Sequence, residues 1–583
     1  MSFILGISAF YHDAAACLLK DGKILAAAHE ERFSRKKHDS AFPANAIAFC
    51  LSSQDLTIEE IDLVVFYEKP FLKFDRLIDT YAIKSPFGFG SFRKAMKSWM
   101  SQKLWIPSII KNELKYEGTI LFSEHHEAHA ASTFFSSPFK EAAILIMDGV
   151  GERTSITLAT GKDNKIQLLK EQHFPHSLGL LYSSFTYYCG FKVNSGEYKL
   201  MGLAPYGVPK YKDLIYEHFV SMNEQGVLAL NMKYFSFEVG LRMTNKAFEK
   251  ILGKPRRLPE SSLGQFYKDV ARSVQEVLEE LVLKLAQIIK KRTNLNKLCL
   301  AGGVALNCKV NQRLQEAGIF EEIWVQPASG DSGGALGAAY IGAYHYCNLE
   351  RIIPENTVKN HIYLGNSFED SQIGSVLDKL GVKYRKLKEE ELLSRTAQSL
   401  NEKGIVGWFQ GAMEYGPRAL GNRSILASPK FKDMQSHVNL KIKMREAFRP
   451  FAPLVVEEKA HVWFKIKAPS KYMLFTYEAL RASNIPSCVH VDNTARVQTL
   501  SKNDNPRLHK LLLNFESLSG IPILINTSFN VRGEPIVCTV EDALRCFFVT
   551  EMDMLIAGNY LVSKSENLAF NKSNLKKVSY VVD

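Results

Sequence analysis

The chain has 583 residues, of which 46% are hydrophobic and 23% charged. It is too long for one hydrophobic core, so we expect two or three domains. No stretch approaches the roughly 18 uninterrupted apolar residues of a bilayer span, which argues against an integral membrane protein, and no membrane partner is expected. The formal charge of +12 would suit nucleic acid, but Lys and Arg are scattered along the chain. Nucleic acid is therefore not an expected partner, and anionic small substrates explain the excess.

Nine cysteines are spread along the sequence without any CxxC pair, which indicates reduced thiols and a cytoplasmic protein. The N-terminal run MSFILGISAFYHDAAACLL is apolar, but it has no basic leader and reaches His12 and Asp13 before any cleavage-like site. We interpret this run as the first strand of the fold.

Strand and helix signals then alternate along the first 350 residues. Residues 2–30 are predicted to form three strands, and Asp21-Gly22 between the second and the third is typical of a hairpin turn whose two residues need positive φ. Further strands are predicted at 142–147 and 297–301. A long helix between them has an apolar face formed by Val270, Val274, Val277, Leu281, Leu285 and Ile288. This alternation predicts an α/β architecture.

A polar, proline-containing stretch near residues 348–365 separates these elements from a second set, with strands predicted at 404–409 and 521–526. We place the domain boundary there, which gives domains of residues 1–354 and 355–583. No internal repeat is visible in the sequence.

The segment SEHHEAHAA places His125 and His129 four residues apart, so on a helix both imidazoles face one side and can share a metal ion. A helix cap with a buried, hydrogen-bonded histidine is the alternative interpretation. Asp148 favours the metal site, because it follows an apolar strand, where α/β folds place their sites. Two histidines with one or two carboxylates suit Fe²⁺ or Zn²⁺.

The run QPASGDSGGALG resembles a strand end, a glycine-rich loop and a helix start, where free backbone N–H groups can hold phosphate oxygens. Gly330 and Ser332 are its candidate phosphate-binding residues, and Asp331 is a candidate fourth metal ligand. A plain tight turn with a capping Asp is the alternative.

Two further loops of the first domain carry candidate residues. Gly302, Gly303 and Asn307 lie between a strand and a helix, a context in which glycines serve a nucleotide. His12 and Asp13 stand in a loop of small residues, and His12 is a candidate general base for deprotonating a hydroxyl. A loop histidine bonded to Asp13 is the alternative.

The second domain is rich in arginine beside short polar residues. Arg418 and Arg423 lie in the loop QGAMEYGPRALGNRS, and arginine forks suit phosphate oxygens. Lys443 follows in KIKMREAFRPFAP, where a solvated helix face is the alternative interpretation. The segments HVDNTARVQ and NTSFNVRGEP add Arg496, Asn526, Ser528, Asn530 and Arg532. Together these residues predict a polyanion site of the kind that a triphosphate requires.

Seven motifs occur in order along essentially the whole chain: GISAFYHDAAACLL, HEERFSRKKHD, HHEAHAAS, MDG, GEYKLMGLAPYG, GGVALN and ASGDSGGALGAA. With them the sequence resembles the carbamoyltransferase family of nodulation and antibiotic-tailoring enzymes. In that family the first domain is similar to the tRNA threonylcarbamoyl-transferring proteins, an ATPase fold related to actin and the sugar kinases. The second domain is similar to the YrdC-like domain that forms an adenylate in tRNA modification.

This resemblance implies an ATP-dependent O-carbamoyltransferase that makes carbamoyl adenylate from carbamoyl phosphate and ATP and passes the carbamoyl group to a small-molecule hydroxyl. An iron-type metal would be held by His125, His129, Asp148 and Asp331. A nucleotide site would be lined by Gly302, Gly303 and Asn307. ATP and carbamoyl phosphate would be bound in the second domain by Lys443, Arg418, Arg423, Arg496 and Arg532.

Two other function classes share parts of this pattern. A tRNA threonylcarbamoyl-type enzyme would need a basic RNA-binding surface, and a non-catalytic nucleotide sensor would leave the metal cluster and the arginines without a role. The sequence leaves the acceptor open among sugar, aminoglycoside, lipooligosaccharide and polyketide hydroxyls. It also leaves open whether Mg²⁺ accompanies ATP and whether the chain forms a homodimer.

Overall fold

The computed structural model describes residues 2–355, 357–571, 575 and 580, and the chain divides into two compact units. Unit 1 comprises Met1–Glu30 and Ser40–Pro354, and unit 2 comprises Glu31–Asp39 and Glu355–Asp583. The short stretch 31–39 therefore belongs to unit 2 by its contacts, although its neighbours in sequence on both sides belong to unit 1.

The strands up to residue 325 are β1 Phe3–Ser8, β2 Ala15–Lys20, β3 Lys23–His29, β4 Leu63–Phe66, β5 Thr119–Phe122, β6 Glu141–Met147, β7 Thr154–Lys162, β8 Lys165–His173, β9 Val220–Met222, β10 Leu228–Leu230, β11 Lys297–Ala301 and β12 Glu322–Val325. The helices up to residue 340 are α1 Glu30–Ser34, α2 Ala44–Ser52, α3 Pro70–Lys84, α4 Phe89–Ser101, α5 Ile106–Leu114, α6 His125–Phe135, α7 Leu178–Tyr188, α8 Glu197–Leu203, α9 Lys212–His218, α10 Lys246–Leu252, α11 Gln265–Thr293, α12 Cys308–Glu316 and α13 Gly333–Tyr340.

Unit 1 is built on two five-stranded sheets with the same topology. Their strand orders are β3-β2-β1-β4-β5 and β12-β11-β6-β7-β8. In each sheet, the first strand in the chain pairs with an antiparallel hairpin partner on one side and a parallel strand on the other. This duplication agrees with the actin and sugar-kinase type of fold that the resemblance implied, and it confirms the α/β prediction. The two halves share no repeat that is visible in the sequence.

The first hairpin forms as its turn residues require. Asp21 and Gly22 have φ values of 49° and 82°, and they connect β2 to β3. Only a short polar residue or glycine adopts this left-handed region at low cost, so the Asp-Gly pair fixes the register of the edge of the sheet.

Helix α13 packs against α6 and against β1 at unusually short distances. A Cβ atom on Gly337 would lie 1.8 Å from the carbonyl oxygen of Ala128 in α6, and one on Gly6 would lie 2.0 Å from that of Ala335. The glycines of the sequence GDSGGALGAA therefore allow this helix to approach its neighbours, in addition to any part they play in binding.

The remaining helices are α14 Val358–His361, α15 Asp370–Leu380, α16 Glu389–Asn401, α17 Met434–His437, α18 Ala460–Trp463, α19 Pro506–Ser519 and α20 Val540–Val549. The remaining strands are β13 Arg385–Lys386, β14 Val406–Phe409, β15 Arg423–Ala427, β16 Ala452–Val456, β17 Thr476–Glu478, β18 Thr494–Arg496, β19 Gln498–Leu500, β20 Ile523–Ser528, β21 Met554–Ala557 and β22 Tyr560–Ser563. Eight of these strands form one mixed sheet in the order β13-β22-β21-β14-β15-β20-β16-β19.

One edge of this mixed sheet collects the ends of four strands. β15 and β20 are antiparallel with Ser424 opposite Ser528, so the start of β15 and the end of β20 lie at the same edge. β16 starts there too, because Ala452 lies opposite Asn526, and β19 runs parallel to β16. We call this boundary the Ser528 edge, and the loops that precede or follow these strands meet there.

No helix within the described residues is both long enough and apolar enough to cross a bilayer.

Candidate active site

Four acidic and imidazole side chains meet inside unit 1. His125 and His129 lie one turn apart at the start of α6, Asp148 follows β6 directly, and Asp331 lies in the loop between β12 and α13. Each of them offers a ligand atom, and these atoms all lie within 4.8 Å of one another. The structure therefore brings together the four residues that the sequence singled out for a metal.

The distances within this cluster are short and its members are buried. The Nε2 atoms of His125 and His129 are 3.1 Å apart, and His125 Nε2 is 3.3 Å from Asp148 Oδ2. Asp331 Oδ1 lies 3.9 Å from each Nε2 atom. All four residues are at most 8% exposed, so water screens their charges poorly.

The charges in the cluster are strongly coupled. Burial would lower the pKa of His125, but the bond to Asp148 and the charge of Asp331 raise that pKa to about 9. Burial and the adjacent His125 lower the pKa of His129 to about 3. Burial opposes ionisation of Asp148, yet the hydrogen bond from His125 and the charge of that imidazole hold its pKa well below the usual range.

This donor set fits a divalent metal ion. Two imidazole nitrogens that face each other at 3.1 Å need a proton or a cation between them, and two carboxylates stand beside them. Among the described residues, Asp331 Oδ2 is buried without a hydrogen-bond partner. His12 Nε2 lies 3.6 Å from this oxygen, beyond hydrogen-bond distance, and a cation placed within the cluster would compensate the buried carboxylate more closely. Two nitrogen and two oxygen donors suit Fe²⁺ or Zn²⁺.

The glycine pair after β11 holds one of these carboxylates in place. The backbone N–H of Gly303 donates to Asp148 Oδ1 at 2.9 Å. Gly302 has a φ of 88°, and a Cβ there would lie 2.3 Å from the carbonyl oxygen of Met147, so only glycine lets β11 end beside β6. The sequence predicted a nucleotide role for this pair and gave no signal of its contact with Asp148.

The other residues of unit 1 that were predicted to bind a nucleotide differ in their hydrogen bonding and in the space around them. The Asn307 side chain caps α12 by accepting from the backbone N–H groups of Lys309 and Val310, and it exchanges two hydrogen bonds with Gln275. A Cβ on Gly330 would meet only Leu306, at 3.9 Å, so the backbone there is open. Ser332 is buried at the start of α13. Gly330 is thus the position best suited to the close approach of a phosphate.

His12 lies beside the cluster, as its predicted role requires. Its Nδ1 is 2.9 Å from Asp13 Oδ2, and its Nε2 is 3.6 Å from Asp331 Oδ2. Burial would lower the pKa of His12, but Asp331 and Asp13 raise it to about 10. Such an imidazole is protonated near neutrality, so accepting a proton requires that a cation first offset the charge of Asp331.

Changing Gly337 to alanine is expected to reduce both stability and metal binding. The added methyl would overlap the Ala128 carbonyl oxygen at 1.8 Å and push α6, which carries the histidine pair, away from α13. Overpacking of this kind costs about 1–3 kcal/mol. The matched control is Gly330→Ala, where the new methyl meets an ordinary contact. Thermal melts of both variants test the expected loss of stability, and an equal melting midpoint for the two variants would contradict it.

Lys443 contacts two of the other predicted residues in unit 2. Its Nζ donates to the carbonyl oxygens of Ser528 and Asn530, both at 2.7 Å, and also to the side-chain oxygens of the same two residues. Lys443 is 3% exposed, and burial followed by the nearby Arg445 holds its pKa well below the usual value. The four oxygens that contact Nζ are neutral, and the charge of Glu534 favours the ammonium form against the effect of burial.

Arg423 was predicted to contact phosphate, but in the structure its guanidinium binds the protein backbone. Its guanidinium donates to the carbonyl oxygens of Gln410, Gly411, Asn422 and Asn366 at 2.6–3.1 Å and stacks on Phe409, with its carbon 3.9 Å from the ring centre. The side chain is 0% exposed. These contacts make Arg423 a brace for the loop 410–422.

The other predicted residues belong to segments that reach the Ser528 edge. Arg418 lies in the loop before β15, Arg532 in the loop after β20, and Arg496 two residues before β19. Asn526 is buried, and its Nδ2 donates to Gln498 Oε1 at 2.7 Å, which ties β20 to β19. With the segment before β16, which carries Lys443, four separate sequence segments thus supply candidate residues at one sheet edge.

Residues 31–39 add contacts at this edge that the sequence did not predict. Arg32 Nη2 donates to the carbonyl oxygen of Gly416 at 2.8 Å, and Arg35 Nη1 donates to that of Ile536 at 2.7 Å. Arg35 also pairs with Glu534, whose backbone carbonyl accepts from the side chain of Asn530. The segment therefore braces the loops on both sides of Lys443. Its motif HEERFSRKKHD was visible, but sequence distance alone assigned it to the first domain.

Glu414 is a second residue that the sequence analysis missed. One oxygen of its carboxylate accepts from the backbone N–H groups of Leu420, Asn422 and Arg423 at 2.8, 2.8 and 3.2 Å. Its side chain is 2% exposed. This carboxylate shapes the loop that carries Arg418. Glu414 could have been found from the sequence because it lies in the same motif as Arg418 and Arg423.

Comparison with known proteins covers both units. The family model described as carbamoyltransferase N-terminus matches residues 3–340, and the one described as carbamoyltransferase C-terminus matches residues 397–564. An uncharacterized protein of Synechocystis is 49% identical over 97% of this chain and 97% of its own length. Nodulation protein NolNO of Sinorhizobium fredii is 33% identical over 95% of this chain and 79% of its own length.

Among solved structures, full-length HypF in a phosphate- and nucleotide-bound form matches 59% of this chain and 55% of its own, with 13% identity and a TM-score of 0.32, which is too low to bear on the fold. The sequence matches are decisive, because the N-terminal model alone spans more than half of the residues. The chain belongs to the carbamoyltransferase family.

Proposed function

We propose that this protein is an ATP-dependent O-carbamoyltransferase with its two half-reactions in separate units. Residues 355–583, together with 31–39, form carbamoyl adenylate from carbamoyl phosphate and ATP. The rest of residues 1–354 transfer the carbamoyl group to a hydroxyl of a small molecule. The observation that supports this most is that each unit builds its own polar site, one of acids and imidazoles and one of cations.

The chemistry proposed for unit 2 needs positioned cations. Carbamoyl phosphate is hydrolysed to carbamate and phosphate, and a carbamate oxygen then attacks the α-phosphorus of ATP, so that pyrophosphate leaves. Lys443, Arg418, Arg496 and Arg532 are the residues that we assign to these phosphate groups. Buried cations are effective here because charge develops on phosphate oxygens in a site with little water.

The chemistry proposed for unit 1 is attack of the acceptor oxygen on the carbamoyl carbon, with AMP as the leaving group. The acceptor proton passes to His12 Nε2, and Asp13 orients that ring through its bond to Nδ1. A divalent metal held by His125, His129, Asp148 and Asp331 would supply Lewis acidity toward the carbamoyl oxygen. The open backbone at Gly330 is the position we assign to the phosphate of the adenylate.

The first test needs no acceptor. Purified protein is incubated with ATP and carbamoyl phosphate, and AMP, ADP and pyrophosphate are followed. We expect AMP and pyrophosphate in equal amounts, because hydrolysis of the adenylate releases AMP once pyrophosphate has left. Neither should form when inorganic phosphate replaces carbamoyl phosphate. Formation of ADP, or of AMP without carbamoyl phosphate, would refute adenylate activation and favour a kinase-like reaction.

A further inference from the structure

An exposed aromatic surface stands out in unit 1. Ile83, Phe87 and Phe89 are 78%, 74% and 72% exposed, and they lie at the turn between α3 and α4. Phe71, at the start of α3, and Trp105, after the end of α4, are 62% and 57% exposed. Among the described residues, every phenylalanine and tryptophan with this degree of exposure belongs to the segment 69–115. Such a concentration of exposed aromatic rings marks an interaction site.

The same segment is strongly basic. Residues 69–115 contain ten Lys and Arg against three Asp and Glu, a net charge of +7 within a chain whose total is +12. Helix α4 carries Arg93, Lys94 and Lys97 and no acidic residue, and these three side chains are exposed. Two of the three acidic residues of the segment, Asp75 and Asp79, are paired with Arg153. Four of the ten cations, Lys69, Lys73, Lys84 and Lys111, are likewise paired with acids outside the segment, so the positive excess beside the turn rests on the three exposed cations of α4.

Although the sequence gave no reason to expect a membrane partner, we infer that the segment 69–115 docks on the surface of an anionic lipid membrane. Exposed aromatic rings enter the headgroup boundary of a bilayer, and neighbouring cations meet lipid phosphates. Arg93 and Lys97 lie about one and two turns along α4 from Phe89, so they share its side of the helix. The apolar residues sit on a turn, and a Cβ on Gly90 would meet nothing within 4 Å, so this part of the surface is open. A protein partner would need a complementary acidic surface with an apolar pocket, which is a more specific requirement.

This surface begins beside the cluster of His125, His129, Asp148 and Asp331. The backbone N–H of Lys69, which precedes α3, and that of His125 donate to the same carboxylate oxygen of Glu152, at 2.8 and 3.0 Å. If the proposed function holds, membrane docking places the transfer site within about one length of α3, roughly 22 Å, of the lipid surface, as an amphiphilic hydroxyl acceptor would require. Membrane docking itself does not depend on the proposed function.

Vesicle co-sedimentation of the full chain tests the inference. We expect binding to vesicles of phosphatidylglycerol and phosphatidylcholine, much weaker binding to phosphatidylcholine alone, and loss of binding as salt is raised, because exposed charges are screened over about 10 Å at 0.1 M salt. The double variant Phe87→Ser/Phe89→Ser should lose at least tenfold in bound fraction. Lys94→Glu/Lys97→Glu should lose the preference for the anionic lipid.

Two matched controls change equally exposed residues elsewhere, namely Leu568→Ser and Lys246→Glu, at 83% and 87% exposed. Because all these positions are exposed, the variants should keep the wild-type melting temperature. Wild-type protein that stays in the supernatant with anionic vesicles, or controls that lose as much binding as the Phe87 and Phe89 variant, would overturn the inference. So would a concentration-dependent dimer in light scattering that this double variant abolishes, since the surface would then bind a second copy.

Discussion

Lys443→Met is expected to abolish formation of AMP and pyrophosphate from ATP and carbamoyl phosphate. The substitution keeps most of the side-chain length and removes the amino group that Ser528 and Asn530 hold in the interior. Loss of a positioned cation in phosphoryl chemistry costs about 10³-fold in rate or more. The rate of pyrophosphate release at saturating ATP measures the effect.

The control for this variant is Lys441→Met, two residues away. The Lys441 side chain is 57% exposed and pairs with Glu551 at 3.2 Å, so its loss should change neither rate nor stability by much. Metal content reports on unit 1 and should stay at the wild-type level in Lys443→Met. A Lys443 variant that melts normally and still releases pyrophosphate at more than a tenth of the wild-type rate would remove this lysine from the mechanism.

The sequence was informative wherever a residue type could serve only one purpose. Asp21-Gly22 predicted its turn because both residues adopt positive φ, and the positions of His125 and Asp148 followed from helix spacing and a strand end. Membership of the carbamoyltransferase family, which implies a transferase, confirms the resemblance that the motifs suggested. These signals depend only on residues close together in the sequence, so they can be interpreted without knowledge of the tertiary structure.

The sequence was uninformative wherever a residue's partner lies far away in the chain. Arg423 and Arg418 stand in the same motif, but only the tertiary structure shows that the first binds four backbone carbonyls. Arg35 meets Glu534 across about 500 residues, which no spacing rule reaches. The packing role of Gly337 is likewise set by Ala128 in another helix. Glycine and arginine serve both structure and binding, so their type alone does not separate the two.

His129→Ala and Asp331→Asn are each expected to remove the bound metal while leaving AMP and pyrophosphate formation intact. His129→Ala deletes one of four buried donors, and Asp331→Asn replaces a charged donor by a neutral amide. Changes in outer-shell partners alone cost about 10–100-fold in metal affinity, so changes in the ligands themselves should cost about 100-fold or more. Elemental analysis of protein purified without oxygen should find about one metal per wild-type chain and almost none in the variants. The same analysis decides between iron, which the family resemblance favours, and zinc.

His126→Asn is the matched control, because His126 neighbours the cluster in α6 without belonging to it. Its Nδ1 lies 2.8 Å from Thr157 Oγ1, and the asparagine amide can preserve that bond. This variant should keep its metal, whereas full metal content in His129→Ala would show that the cluster is not the site. Lys443→Met and His129→Ala should therefore fail in opposite assays, the first without activation and the second without metal. If the two units hold separate sites, each variant should lose one readout, either pyrophosphate formation or metal content, and keep the other. If a single site served both purposes, each variant would lose both readouts.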